Sequence, residues 1–211
     1  MKIAVLLYDG FTALDAIGPY EVLRSVPGWE VEFVARQRGE VRTDSGALGV
    51  TADRSLDEVT DPDIVLVPGG EGNRPLMEDE EILGWLRRVD AGTKWTTSVC
   101  TGSLLLAAAG LLEGRRATGH WAFLEPLREH GAEPASGRYV EDGKVITAAG
   151  VSAGIDMALY LVGREVAPEV AEAVQLGIEY DPSPPYDAGS PEKAPAPIVE
   201  LVARISRDGQ S

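Results

Sequence analysis

A chain of 211 residues with 44% hydrophobic content is long enough to bury a substantial core as one domain. Its formal charge of -15 argues against a nucleic-acid surface, which needs Lys and Arg to face phosphate. A single cysteine excludes an internal disulfide, and with only two histidines it offers no metal-ligand spacing, so no bound metal is expected.

Met1 leads directly into Lys2–Leu7, an apolar run too short for a signal peptide, and no stretch is long enough to span a bilayer. A cytoplasmic protein without membrane contact is expected. Lys2 to Tyr8 reads as a strand buried on both faces of a parallel sheet, and Asp9-Gly10 ends it. From Leu14 the apolar residues recur at helical spacing, with Gly18-Pro19 expected to interrupt or restart the helix. Trp29 to Ala35 is a second strand, and Val41 to Thr51, with Asp44-Ser45-Gly46 at its centre, a small hairpin. Asp63 to Gly70 is another buried strand, ending in the pair Gly69-Gly70, and Glu78 to Val89 is an amphipathic helix.

The chain is organised around Trp95 to Leu112. A β-branched run holding Thr96, Thr97 and Val99 precedes Cys100, and a Leu- and Ala-rich helix follows it. Ser98, Thr101, Gly102 and Ser103 are small enough for a sharp turn, so Cys100 falls at a strand-to-helix elbow of the kind that presents nucleophiles. A thiol there meets unpaired backbone N–H groups and the positive end of a helix dipole, which favour thiolate.

Beyond the elbow, Arg115–Thr118 predicts a short strand and Trp121–His130 a helix. Tyr139-Val140 and Val145-Ile146 predict a hairpin, and Val151–Val166 and Pro168–Ile178 two helices. The alternation indicates an α/β fold with a mainly parallel sheet, in which ligands bind beyond the carboxyl ends of the strands. The loop after Tyr8, the Gly69-Gly70 turn and Cys100 all map to that edge. Residues 1–211 read as a single domain, with 180–211 an extended Pro-rich arm and a short helix of the same domain. His130 is expected at the surface, and Tyr180 and Asp181 at a helix end or reaching a site.

Six stretches carry a resemblance. They are Leu14–Leu23 (LDAIGPYEVL), Val67–Gly70 (VPGG), Ser98–Ser103 (SVCTGS), Ala117–Trp121 (ATGHW), Gly150–Asp156 (GVSAGID) and Leu176–Pro182 (LGIEYDP). On these the chain resembles the ThiJ/PfpI superfamily and, within it, is similar to the isonitrile hydratases. The resemblance implies a flavodoxin-like α/β sandwich with a nucleophile elbow, a homodimer and cofactor-free chemistry. It places Asp15 where most relatives have a Glu hydrogen-bonded to the thiol. Thr101 stands where protease-like relatives have His, and Gly119 where relatives often have a second Thr.

The implied reaction hydrates an isonitrile to an N-substituted formamide through a thioimidate on Cys100, with Asp15 as general acid and then base. Cys100 and Asp15 form a coupled pair expected to hold one proton between them. Gly69 and Gly70 either make a turn or, with the N–H of Thr101, form a hole for developing negative charge. Thr101 either orients water or substrate or caps its helix, and the lesser alternative for Asp15 is to cap or polarise its own helix. His120 either tunes the thiol or is structural. The competing expectations are a glutathione-independent glyoxalase, which Asp15 and Thr101 disfavour, and a non-enzymatic redox sensor built on oxidation of Cys100. With no basic module before Ser211, a transcription factor is not expected.

Overall fold

The computed structural model describes residues 1–208, Arg207 and Asp208 by their backbone alone. Positions 209–211 of the expected domain and arm lie outside the described residues. In chain order the elements are β1 (Lys2–Leu6), α1 (Ala13–Leu23), β2 (Glu30–Ala35), β3 (Gly39–Arg42), β4 (Gly49–Ala52), β5 (Arg54–Ser55) and β6 (Ile64–Val67). Next are α2 (Asn73–Leu76), α3 (Glu80–Asp90), β7 (Trp95–Val99), α4 (Gly102–Ala108), β8 (Arg116–Ala117), α5 (Leu124–Glu129) and β9 (Glu133–Pro134). The chain closes with β10 (Tyr139–Asp142), β11 (Val145–Ala148), α6 (Ala153–Glu165), α7 (Pro168–Gly177) and α8 (Ala196–Asp208).

A seven-stranded sheet in the order β10-β11-β7-β6-β1-β2-β5 forms the centre. The pairings from β11 to β5 are all parallel, and β10 alone runs antiparallel at one edge. The central strands are apolar because both faces are covered: Ile64 to Val67 are fully buried, as are Ile3 to Leu7. Helices α1, α6 and α7 pack together on one side, and α2, α3, α4 and α5 on the other. This is the α/β sandwich of the flavodoxin-like kind.

One expectation fails in α1, which runs unbroken through Gly18 and Pro19. Proline lacks the N–H that would bond to the carbonyl four residues back, an interruption worth about 3 kcal/mol in an isolated helix. Here the tertiary contacts compensate. The Pro19 ring seats on Gly154 of α6, and Gly18 admits the Ile155 side chain at a point where a Cβ would meet it at 3.0 Å.

The carboxyl ends of β1, β6, β7 and β11 lie side by side, and their loops carry Tyr8–Thr12, Gly69-Gly70, Cys100 and Val151. The β3–β4 hairpin folds onto the first of these loops through a bridge between Phe11 and Thr43 and a bond from Asp44 N–H to the Phe11 carbonyl (3.0 Å). At the far end, Tyr180 donates its hydroxyl to Asp156 Oδ1 (2.8 Å), so the arm begins pinned to the first turn of α6. His130 is exposed, and so is Asp181.

Candidate active site

Cys100 directly follows β7 and sits in the left-handed backbone region (φ 58). For a residue with a Cβ that conformation costs about 1–3 kcal/mol and persists only where the surroundings hold it. The hold is visible. The Cys100 N–H is shared between the carbonyls of Ala148 (3.1 Å) and Ala149 (2.9 Å), and its own carbonyl accepts from Ser103 Oγ (3.1 Å). The segment after β8 also presses on the elbow. A Cβ at Gly119 would stand 2.5 Å from Ser103 Oγ and 2.9 Å from the Cys100 carbonyl. This explains why the position is glycine.

The side chain of Cys100 is 6% exposed, and its sulfur meets the backbone N–H groups of Thr101 and Val151. Both donate to a thiolate better than to a thiol. Val151, just before α6, is itself held at φ 32.

Asp15 lies in the first turn of α1 and is fully buried. Thr12, the residue before the helix, does not cap it. Its hydroxyl instead donates to Asp44 Oδ2 (2.7 Å) on the β3–β4 hairpin. Asp15 is turned toward the sheet, where Oδ2 accepts from the Gly69 N–H at 2.9 Å. The carboxyl and the Cys100 thiol are close enough for hydrogen-bonding and charge interaction. Oδ1, however, has no partner of aligned geometry. It is a buried acceptor left open, and such groups in native structures call for a functional explanation.

The structure corrects the sequence-based role of the glycine pair. The Gly69 N–H serves Asp15, and the Gly70 N–H donates to Thr101 Oγ1 (3.0 Å), so neither is free to form a hole for negative charge. Thr101 in turn makes no side-chain cap to α4, and its carbonyl accepts from Asn73 Nδ2 (3.0 Å). Gly69 is glycine for space. A Cβ there would lie 2.6 Å from both the N and the Oγ1 of Thr101 and 3.0 Å from Asp15 Oδ2.

The electrostatics follow from burial. Asp15 is pushed up to about 7, chiefly by desolvation, against the Gly69 and Cys100 hydrogen bonds that lower it. Cys100 is pushed up to about 12 by burial first and the Asp15 charge second. The thiolate expected from the helix dipole is therefore not the resting state. Helix α4 is short, and desolvation beside a carboxylate outweighs its dipole and the two N–H donors. One proton shared by the pair matches these shifts. Tyr8, buried beneath the pair with its hydroxyl donating to the Pro68 carbonyl (2.7 Å), is held well above its ordinary value by burial and then by Asp15, Cys100 and Asp44.

His120 does not meet the sulfur by its side chain in the same way as Asp15. Its Nδ1 accepts from the Ala122 N–H (3.3 Å), and its ring lies against Gly150, one residue before Val151. Burial lowers its pKa, so it is a neutral imidazole with the proton on Nε2. Tyr8, Asp44, Asn73 and Val151 are site neighbours that the sequence reading gave no role. Only their tertiary placement marks them. Among the described residues no cluster of three or more His, Cys, Asp or Glu is arranged to hold a metal ion, and no helix is long and apolar enough to cross a membrane.

The chain is also similar to known proteins in sequence and fold. The model of the DJ-1/PfpI family matches residues 1–164. The chain is 44% identical over 200 residues to the isonitrile hydratase of Pseudomonas putida, covering 95% of this chain and 87% of that protein. A solved ThiJ/PfpI family protein from Pseudomonas syringae has a TM-score of 0.92 at 38% identity, covering 99% of this chain and 88% of that one. The HTH-type transcriptional regulator CdhR of Pseudomonas aeruginosa is 30% identical over 184 residues, which span 82% of this chain and 54% of the regulator.

Proposed function

We propose that this chain, which belongs to the DJ-1/PfpI family, is an isonitrile hydratase that uses Cys100 as nucleophile and Asp15 as its proton carrier. The observation that carries the mechanism is the buried Asp15 carboxyl set against the Cys100 thiol with Oδ1 unpartnered. The similarity to the Pseudomonas putida isonitrile hydratase supports the reaction itself.

The terminal carbon of R–N≡C must gain a nucleophile and a proton. In the reactive form of the pair the proton sits on Asp15 and the sulfur is thiolate, held by the N–H groups of Thr101 and Val151. The sulfur bonds to carbon while the Asp15 proton passes to the same carbon, giving the thioimidate R–N=CH–S. Water then adds to that carbon. Asp15, now carboxylate, takes one water proton and delivers it to nitrogen. In the tetrahedral adduct the C–S bond breaks as the C=O bond forms, and the hydroxyl proton returns to the Cys100–Asp15 pair. The sum is isonitrile plus water to N-substituted formamide. Acid–base assistance of this type is worth about 10²–10⁴-fold.

The whole chain acts as one domain in this reading, in the cytoplasm, where its one cysteine stays reduced. It acts as a homodimer: Ile198, Leu201 and Ile205 leave apolar surface exposed on α8, and Leu176 and Tyr186 are about four-fifths exposed. Light scattering checks the dimer.

The test of the reaction is purified, reduced protein incubated with aryl and alkyl isonitriles. Loss of isonitrile matched by formamide is expected, with a thioimidate adduct on Cys100 seen by mass spectrometry. Cys100→Ala and Asp15→Asn each abolish turnover with the circular dichroism spectrum unchanged. No turnover of any isonitrile by the reduced protein rejects the reading.

A further inference from the structure

We infer that Tyr8 and Ser103 are positioning residues that set where the shared proton rests: each holds the carbonyl of a peptide unit whose N–H grips one member of the Cys100–Asp15 pair. The inference deepens the hydratase reading and rests on it for what the pair does. A trans peptide keeps its C=O and N–H in one plane and pointing opposite ways, so a donor that fixes the carbonyl also aims the N–H. It polarises the unit as well, which makes the N–H a stronger donor.

Asp15 Oδ2 accepts from the Gly69 N–H at 2.9 Å, and the carbonyl of that same peptide, Pro68, accepts the Tyr8 hydroxyl at 2.7 Å. Tyr8 is buried just after β1, and Asp15, Cys100 and Asp44 all act on it by charge. The sulfur accepts from the Thr101 N–H, and the carbonyl of that peptide, Cys100, accepts Ser103 Oγ at 3.1 Å. Serines in helices commonly bond a carbonyl three or four residues back. Here that carbonyl belongs to the peptide whose N–H turns to the thiol. The second donor to the sulfur, the Val151 N–H, has no such hydroxyl behind it. Its peptide carbonyl, Gly150, takes the Ala153 N–H in the opening turn of α6.

Tyr8 therefore favours carboxylate at Asp15 and sends the proton to sulfur, whereas Ser103 favours thiolate and sends it to Asp15. The other ionisable group acting on Asp15 from outside the pair is Asp44 of the β3–β4 hairpin. Helix α6, packed on α1, turns its Asp156 to Arg138 and Tyr180 instead, and His120 is neutral against Gly150.

Iodoacetamide alkylates thiolate rather than thiol, and Cys100 is the one cysteine, so its alkylation rate reports the thiolate with no isonitrile present. The rate is followed by mass spectrometry from about pH 5 to about pH 9 on the reduced full chain, on Tyr8→Phe and on Ser103→Ala. Circular dichroism confirms the folds. In the wild type the rate climbs with pH and levels off above about 7, where Asp15 gives up its proton. Tyr8→Phe disfavours the carboxylate: the bend moves up by about half a pH unit and the plateau rises about threefold, the gain being confined to pH above the wild-type bend. Ser103→Ala disfavours the thiolate, so the rate falls about threefold at every pH while the bend stays. A Tyr8→Phe bend that does not move, or a rate raised at every pH as in a merely loosened site, overturns the inference. So does a Ser103→Ala rate equal to the wild type or above it. Each variant decides alone, so misfolding of one leaves the other to judge. Absence of isonitrile turnover in the wild type rejects the hydratase reading, and the alkylation profiles still decide what the hydroxyls do.

Discussion

The amide N–H of Gly69 donates to Oδ2 of Asp15 at 2.9 Å, tying the end of β6 to the first turn of α1. That bond engages one carboxyl oxygen and leaves the other, Oδ1, without a partner. It also sets the terms on which Asp15 carries its proton, from which two predictions arise.

The first concerns stability. Asp15 stands at about 7 in the fold against 3.8 for a free side chain, so between these values the folded state binds more protons than the unfolded one. Stability from this group is then complete below about pH 4 and is lost as pH rises toward 7, by about 4 kcal/mol in all. Asp15→Asn keeps the Gly69 bond through its amide oxygen and removes the charge. In urea melts at pH 5 and pH 8 the variant should gain on the wild type by a few kcal/mol. Parallel pH curves for the two proteins would contradict the assignment.

The second concerns rate. The reactive form holds one proton on the pair, and below about 7 Asp15 and Cys100 are both protonated, so kcat/KM for an isonitrile should rise as pH passes up through about 7. The Asp44 carboxylate, bonded to Thr12 at the start of α1, raises Asp15 through its charge. Asp44→Asn retains an oxygen for the Thr12 hydroxyl but not the charge, and should move that limb to lower pH. A profile of the same shape and position in both proteins would remove Asp44 from the site.

A third prediction tests the packing of the elbow. Gly119→Ala places a Cβ 2.5 Å from Ser103 Oγ and 2.9 Å from the Cys100 carbonyl, and should cost about 1–3 kcal/mol. Adding Ser103→Ala removes the first clash but not the second, so the double variant should recover part of the loss. A double-mutant cycle by chemical denaturation measures the coupling.

The fourth separates hydroxyl from shape at Thr101, which is 8% exposed. Thr101→Val preserves volume and leaves the Gly70 N–H without its acceptor, at a cost of about 1–3 kcal/mol. Thr101→Ser should restore the bond and most of the stability. Equal melting curves for the Val and Ser variants would show that the bond contributes nothing.

Much of the architecture was legible from the residues. Unbroken apolar runs such as Ile64–Val67 mark strands covered on both faces, and the small residues around Cys100 mark the elbow that the structure confirms at φ 58. The continuity of α1 was not legible, because the propensity of Gly18-Pro19 is local and the compensating contacts come from α6. Val151 was equally silent: nothing about a valine announces that its N–H will face a sulfur.

By itself, the order of residues determined which segments are strands and helices and which turns fall at the carboxyl edge, since these follow from apolar periodicity and from where Gly and Pro stand. It also singled out Cys100 as the one thiol at a strand end. Only the tertiary structure decided what each group at that edge does: that the Gly69 and Gly70 N–H groups are consumed by Asp15 and Thr101, and that the thiol rests protonated. Hydrogen-bond direction depends on how separate strand ends dock, and desolvation is imposed by every atom around a buried charge, so neither is written at any one position of the chain.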